Sequence, residues 1–307
     1  MKDTLNVGPS ASSENVQKTV YPILFSIAFA HLLNDMLQAV IPSVYPILKD
    51  SYQLSFTQIG LITFAYQMAA SILQPFVGFY TDKKPQPYSQ IYGMFFTLCG
   101  IILLSFAANF YIIILSVILV GIGSSIFHPE ASRISFLASG GKRGLAQSVF
   151  QLGGNAGTAI GPLLVALLVV PNDQRYILLF VIVAVIALFV LKHIATWYDA
   201  HLNLRSKKKV EIVLPNLSKN RIIFSVVILL VLIFSKFFYM ASMSSYFTFY
   251  LIEKFELSVQ DAQLHLFLFL ASCAVGTLLG GPLGDKFGRK YVIWFSVLGA
   301  APFALLL

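Results

Sequence analysis

Nine apolar stretches of membrane-spanning dimensions follow one another along the chain, at residues 20–48, 56–80, 88–108, 110–127, 145–170, 176–191, 222–251, 259–283 and 291–307. A helix needs about 20 apolar residues to cross the hydrocarbon of a bilayer. The expected class is therefore an all-α polytopic membrane protein. Apolar residues make up 57% of the 307 and charged residues 11%, more apolar surface than one soluble core can bury, which excludes a soluble enzyme. The breaks carry turn chemistry. Lys83-Lys84-Pro85-Gln86-Pro87, Ser139-Gly140-Gly141-Lys142-Arg143-Gly144 and Pro171-Asn172-Asp173 each disfavour a continuing helix. Cys99 and Cys273 both fall inside apolar stretches, where a thiol behaves as a small hydrophobe and suggests no disulfide framework.

The excess of basic residues is read through its distribution. With the N-terminal tail in the cytoplasm, 17 of the 21 Lys and Arg fall on the cytoplasmic side and only Lys49, Arg175 and Lys254 on the other, with Lys236 left inside a span. The opposite orientation inverts the positive-inside bias, so the N-terminus is expected to be cytoplasmic. Residues 1–19 are too polar for a signal peptide and read as a disordered tail. Residues 192–221 hold a cluster of basic residues and read as a flexible linker lying against anionic headgroups. They divide the spans into six within 20–191 and three within 222–307.

The two parts are related. A shift of 203 residues brings Leu54-Ser55 onto Leu257-Ser258, Leu61 onto Leu264, Phe64 onto Phe267, and Gly78 with Asp82-Lys83 onto Gly281 with Asp285-Lys286. Internal repeats of this kind are a mark of transporters that move one half against the other around a midplane site.

The run Gly281-Pro282-Leu283-Gly284-Asp285-Lys286-Phe287-Gly288-Arg289-Lys290 resembles the loop signature of the major facilitator superfamily, and Gly78-Phe79-Tyr80-Thr81-Asp82-Lys83 keeps its Gly and Asp. Gly153 to Pro162 is similar to the G-x-x-x-G-P element of that superfamily's drug/proton antiporters, without the closing glycine pair. His31-Leu32-Leu33-Asn34-Asp35, Ser124-Ser125-Ile126-Phe127-His128-Pro129-Glu130 and Phe238-Tyr239-Met240-Ala241-Ser242 resemble the superfamily's fosmidomycin-resistance branch. The resemblance implies two six-helix bundles, the second incomplete in this chain, in a bacterial inner membrane. It implies a monomer that exports a small phosphonate antibiotic in exchange for protons by alternating access. It also implies a gating role for Gly281, Asp285 and Arg289 and, less completely, for Gly78 and Asp82.

Polar residues at membrane depth carry the rest of the functional reading, because an ionisable group there costs at least ~2.5 kcal/mol. His31, Asn34, Asp35 and Gln38, at i, i+3, i+4 and i+7, share one face of the first span. Asp35 lies about 15 residues into that span, near the midplane at ~1.5 Å per residue. Asp35 is expected to carry the proton, with His31 beside it. Lys236 of the seventh span falls at a similar depth under the repeat, and is expected to pair with Asp35 and anchor an anionic substrate. Asn34, Gln38, Gln67, Gln151, Asn155 and Tyr239 are candidate neutral substrate contacts. His128, Glu130 and Arg133, placed at the cytoplasmic end of the fourth span, read as a gate. No metal set or cofactor site is read from the sequence.

No CxxC pair, nucleophile–base arrangement or glycine loop ending in Lys-Ser/Thr is present, which argues against an ATP-driven pump and leaves a gradient as the energy source. Two other readings are a carrier of phosphorylated metabolites on the same fold and a membrane-embedded enzyme using His31 and Asp35. The enzyme has no use for the repeat.

Overall fold

The computed structural model describes residues 18–205 and 218–306, and among them secondary structure is helical throughout. Helix α1 (Tyr21–Ser43) runs almost directly into α2 (Tyr45–Tyr52), and α3 (Phe56–Lys83), α4 (Ser89–Ser105), α5 (Phe110–Ala138) and α6 (Arg143–Leu164) follow. A single π turn (Val165–Val169) and a 3₁₀ turn (Gln174–Leu179) lead into α7 (Phe180–Arg205). The remaining helices are α8 (Lys219–Phe255), α9 (Val259–Phe287) and α10 (Arg289–Leu306). Seven of the described helical stretches are long and apolar enough to cross a membrane, and Ser89–Ser105 and Lys290–Leu305 are shorter apolar helices. The chain is a multi-pass membrane protein.

Local chemistry sets the starts. The Ser55 side chain accepts from Gln58 N while Gln58 reaches back to Ser55 N, a complete capping box at α3. The carboxamide oxygen of Asn109 accepts from Ile112 N at 3.1 Å to open α5. Gly140 and Gly141 take positive φ in the turn before α6, the conformation glycine alone adopts without strain.

The repeat is written into the backbone. Gln53 and Glu256, 203 residues apart, are the two described non-glycine residues with positive φ, at 50° and 54°. Each is followed two residues later by a serine N-cap, Ser55 and Ser258, and then by a helix of 28 or 29 residues. The expected pairing of the second and eighth spans thus extends to the turn that launches each helix.

Two boundaries differ from those expected. The fourth helix does not stop at Phe127 but continues through Pro129 to Ala138, because the polar groups beyond Phe127 find partners on neighbouring helices. The sixth continues past Leu191 to Arg205, so residues 192–205 are helix and not linker. Leu191, Ile194, Ala195 and Tyr198 recur at helical spacing and are buried, while Lys192, His193, Thr196 and Asp199 face outward. The central part of the expected linker, 206–217, lies outside the described residues.

Helices α1 to α7 share one buried cluster that includes Ile27, Leu37, Ile59, Val117, Phe127 and Phe180. Within lipid there is no hydrophobic drive between helices, so close approach depends on small side chains. Cβ atoms added at Gly153 and Gly157 of α6 would fall against the backbone of Ala28 and Leu32, and one at Gly161 would meet the Ala39 side chain at 2.6 Å. The glycine element of α6 therefore acts first as a packing seam against α1. Gly121 serves α5 in the same way against Tyr66 and Ala70 of α3.

Candidate functional site

The polar face of α1 points into the seam between α5 and α6. Asp35 sits at its centre and is partly accessible. Its Oδ2 is 3.2 Å from His31 Nε2, one turn earlier on α1, and its Oδ1 is 3.3 Å from His128 Nε2 on α5. Asn34 Nδ2 and Gln38 Nε2 also donate to Oδ1, at 3.0 and 3.4 Å. A carboxylate that accepts from four donors in this way keeps its charge supported at membrane depth.

The surrounding shell fixes the geometry. His31 is 3% exposed, hydrogen-bonds Phe150 O of α6 through Nδ1 at 2.8 Å, and stacks on the Phe150 ring with centroids 4.0 Å apart. Gly154 makes this possible: a Cβ there would stand 2.5 Å from His31 Cε1 and 2.8 Å from Asp35 Oδ2. His128 Nδ1 lies 3.0 Å from Ser124 O and 3.2 Å from Ser124 Oγ. Ser124 Oγ in turn donates to Gln38 Oε1 at 3.1 Å, and the Tyr66 hydroxyl of α3 donates to the same oxygen. An open cavity of about 140 Å³ between α1, α3 and α6 reaches this network, lined by Asp35, Gln38, Ala39, Pro42, Tyr66 and Thr158.

The residues expected to act together are divided. His31, Asn34, Asp35 and Gln38 converge as their spacing required. His128 was grouped with Glu130 and Arg133, but residues two apart on a helix face different sides. It belongs to the Asp35 network instead. Arg133 bonds Glu130 Oε1 and Thr81 O, both at 2.8 Å, and pairs with Asp82, tying α5 to the end of α3 beside Gly78. The expected Asp35–Lys236 pair is not formed. Lys236 is exposed on α8, its ammonium 5.4 Å from the Phe237 ring centroid, because equal depth does not fix the direction a side chain leaves its helix.

Gln67 is exposed, and its neighbour Tyr66 faces the site instead. Gln151 is partly buried on α6. Asn155 Nδ2 donates to Thr277 Oγ1 of α9 at 2.8 Å, and the Tyr239 ring lies 6.4 Å from that of Phe269. The side chains of Gly281, Asp285 and Arg289 lie outside the described residues. Sequence reasoning missed Tyr66, Ser124, Phe150 and Thr158. The serine stood in the quoted Ser124–Glu130 stretch, four residues before His128, but the Phe150 carbonyl leaves no trace in sequence.

The donors of His31, Asp35 and His128 lie within 4.8 Å of one another, so this triad is where the described residues could gather around a cation. Each imidazole, however, takes a different carboxylate oxygen at hydrogen-bond distance, so the arrangement as it stands is a hydrogen-bonded triad. A second polar contact joins α1 to α9 at the Ser43 end of α1: Gln263 Nε2 donates to Ser43 O at 2.6 Å.

The sequence profile of the Major Facilitator Superfamily matches residues 27–307. The fosmidomycin resistance protein of Escherichia coli (strain K12) is 52% identical over 302 residues, covering 98% of this chain and 74% of that protein. The uncharacterized MFS-type transporter YfnC of Bacillus subtilis (strain 168) is 44% identical, covering 96% of this chain and 73% of the relative. A solved structure of a bacterial homolog of the human lysosomal transporter Spinster, inward-facing and unoccupied, shares the fold with a TM-score of 0.67 at 18% identity. It aligns with 91% of this chain, and the chain spans 64% of its length.

Proposed function

The chain belongs to the Major Facilitator Superfamily, and from that premise we propose that it exports a small anionic antibiotic of the fosmidomycin type in exchange for protons. Its relatives are transporters, so the membrane-embedded enzyme is set aside. The observation that carries the substrate class is the 52% identity to a fosmidomycin resistance protein across almost the whole chain. The setting is the bacterial inner membrane, with the end that holds Lys83, Lys84, Lys142 and Arg143 in the cytoplasm, and the working unit is a monomer.

In this reading Asp35 is the proton-coupling group and His31 its partner. A carboxylate near the midplane with an open cavity beside it can exchange a proton only from the side to which that cavity opens, which is the requirement of alternating access. Lys236, exposed on α8, offers an ammonium to the anion, and Gln38, Gln151 and Asn155 offer neutral donors. Gln67 and Tyr239 offer neutral donors as well, and of these candidates it is Gln38 that lines the cavity beside Asp35. Asp82, Glu130 and Arg133, with Gly78, lock the cytoplasmic end of the first bundle, and Gly281, Asp285 and Arg289 are the corresponding gate in the second. The Gln263–Ser43 contact closes the other end in the state described.

The test is resistance and flux together. Expression in cells lacking their own exporter is expected to raise the inhibitory fosmidomycin concentration at least fourfold, and a protonophore is expected to abolish that gain. A gain that survives the protonophore defeats proton coupling; no gain at all defeats the substrate assignment.

A further inference from the structure

The two imidazoles on Asp35 are held alike at Nδ1 and at Nε2 and differ in how tightly their rings are enclosed. A backbone carbonyl only accepts, so the 2.8 Å contact to Phe150 O and the 3.0 Å contact to Ser124 O each place the ring hydrogen on Nδ1. Ser124 Oγ spends its hydrogen on Gln38 Oε1, so toward His128 it too can only accept. On both rings the exchangeable position is therefore Nε2. Both Nε2 atoms face carboxylate oxygens at 3.2 and 3.3 Å, and an unprotonated nitrogen there would set lone pair against lone pair.

The rings are not equally free. The His31 side chain is 4% exposed, stacked on Phe150, 5.9 Å from the Phe127 ring, with Gly154 against its edge. It cannot turn without opening the α1–α6 seam. The His128 side chain is 28% exposed and meets Phe127 and His31 only edge-on. Its Nδ1 tether lies on its own helix, so the ring is not bound into the α1–α6 seam.

We propose that His128 is the proton-transfer residue of this site, relaying a proton between water at its exposed side and Asp35, while His31 is a positioning residue that holds the carboxylate. The inference rests on Asp35 being the proton-coupling group. In the step, the proton on His128 Nε2 passes to Asp35 Oδ1; the Nε2–H bond breaks, the O–H bond forms, and the imidazolium becomes neutral as the carboxylate becomes neutral. A hydronium ion at the exposed side of His128 then restores Nε2–H and is left as water. The titratable groups facing His128 are Asp35 and His31 from α1. Tyr66 of α3 reaches it through Gln38 and Ser124, and α6 presents only Phe150 and glycine among the contacts described. Glu130 and Arg133 of α5 are turned toward Asp82.

Two rates in proteoliposomes separate relay from scaffold, with fosmidomycin as the probe: accumulation driven by a pH gradient, and equilibrium exchange of labelled for unlabelled compound, which requires no net proton movement. For His128→Gln the ratio of driven accumulation to exchange is expected to fall at least tenfold. For His31→Gln both rates fall together and the ratio stays within threefold. An unchanged ratio in His128→Gln, or an equal drop in both variants, overturns the assignment. If the unaltered chain moves no fosmidomycin, the substrate reading fails instead, and deuterium exchange at the ring nitrogens of ¹⁵N-histidine protein decides the relay. Nε2–H exchange at His128 at least tenfold faster than at His31 supports it, and equal or slower exchange overturns it.

Discussion

Helices α1 and α8 are related by the internal repeat and both pass for membrane spans on hydropathy, yet in the structure described they sit in different surroundings. The most apolar window of the α1–α2 stretch is 67% buried and that of α8 is 0% buried. The α1 stretch reaches its neighbours through glycines on α6 and carries a polar face that is bonded almost completely. Helix α8 carries one deep lysine and a coat of exposed Ile, Leu, Val and Phe. The difference teaches that hydropathy finds spans but does not rank them: what commits a helix to an interior is a partner able to come close and polar groups that need one another.

The largest effect is expected where a buried charge loses its partner. Glu130 is fully buried, and Arg133→Ala strips away the guanidinium that pairs with it. A loss of about 3–5 kcal/mol is expected, read as a fall in melting temperature of the detergent-solubilised protein. Stability within 1 kcal/mol of the parent would mean that the α3–α5 end is not held by this pair.

Glycines give a contrast of sign. Gly157→Ala pushes a methyl group against the Leu32 backbone and is expected to cost about 1–3 kcal/mol. Gly276→Ala on α9, with open space around it, is expected to be neutral or to stabilise by up to about 1 kcal/mol through helix propensity. Equal effects at the two positions in the same melting assay would erase the distinction between seam and open face.

Smaller effects sharpen the comparison. Asp82→Asn removes the more exposed partner of Arg133 and is expected to cost about 0–1 kcal/mol, since water screens that side of the pair. Lys236→Ala is expected to leave the melting temperature unchanged within error while weakening fosmidomycin binding, because the ammonium makes no described ion pair. A drop in stability there would mean that α8 has a buried polar partner after all.

Much of this architecture was legible in sequence because it rests on local rules. Apolar run length located the helices, a 203-residue shift aligned Leu54-Ser55 with Leu257-Ser258 just after the turns that the backbone makes at Gln53 and Glu256, and the i, i+3, i+4, i+7 spacing placed His31, Asn34, Asp35 and Gln38 on one face. What failed was direction across helices. Depth put Lys236 level with Asp35, but rotation about the helix axis, set by packing, decides what a side chain meets. His128 was read with its sequence neighbours although its partner stands 93 positions earlier on another helix. The helical run to Arg205 escaped notice because a charged face looks like a loop until its buried stripe of Leu191, Ile194 and Tyr198 is seen.

The central claim is that Asp35 couples this transporter to protons, and proton flux tests it most directly. Fosmidomycin added to proteoliposomes loaded with a pH dye is expected to start a proton movement with the parent chain and none above background with Asp35→Asn, while Asp35→Asn still binds the compound measurably. Proton movement in Asp35→Asn at the parent rate would contradict the account and return Asp35 to a purely structural hydrogen-bonding role.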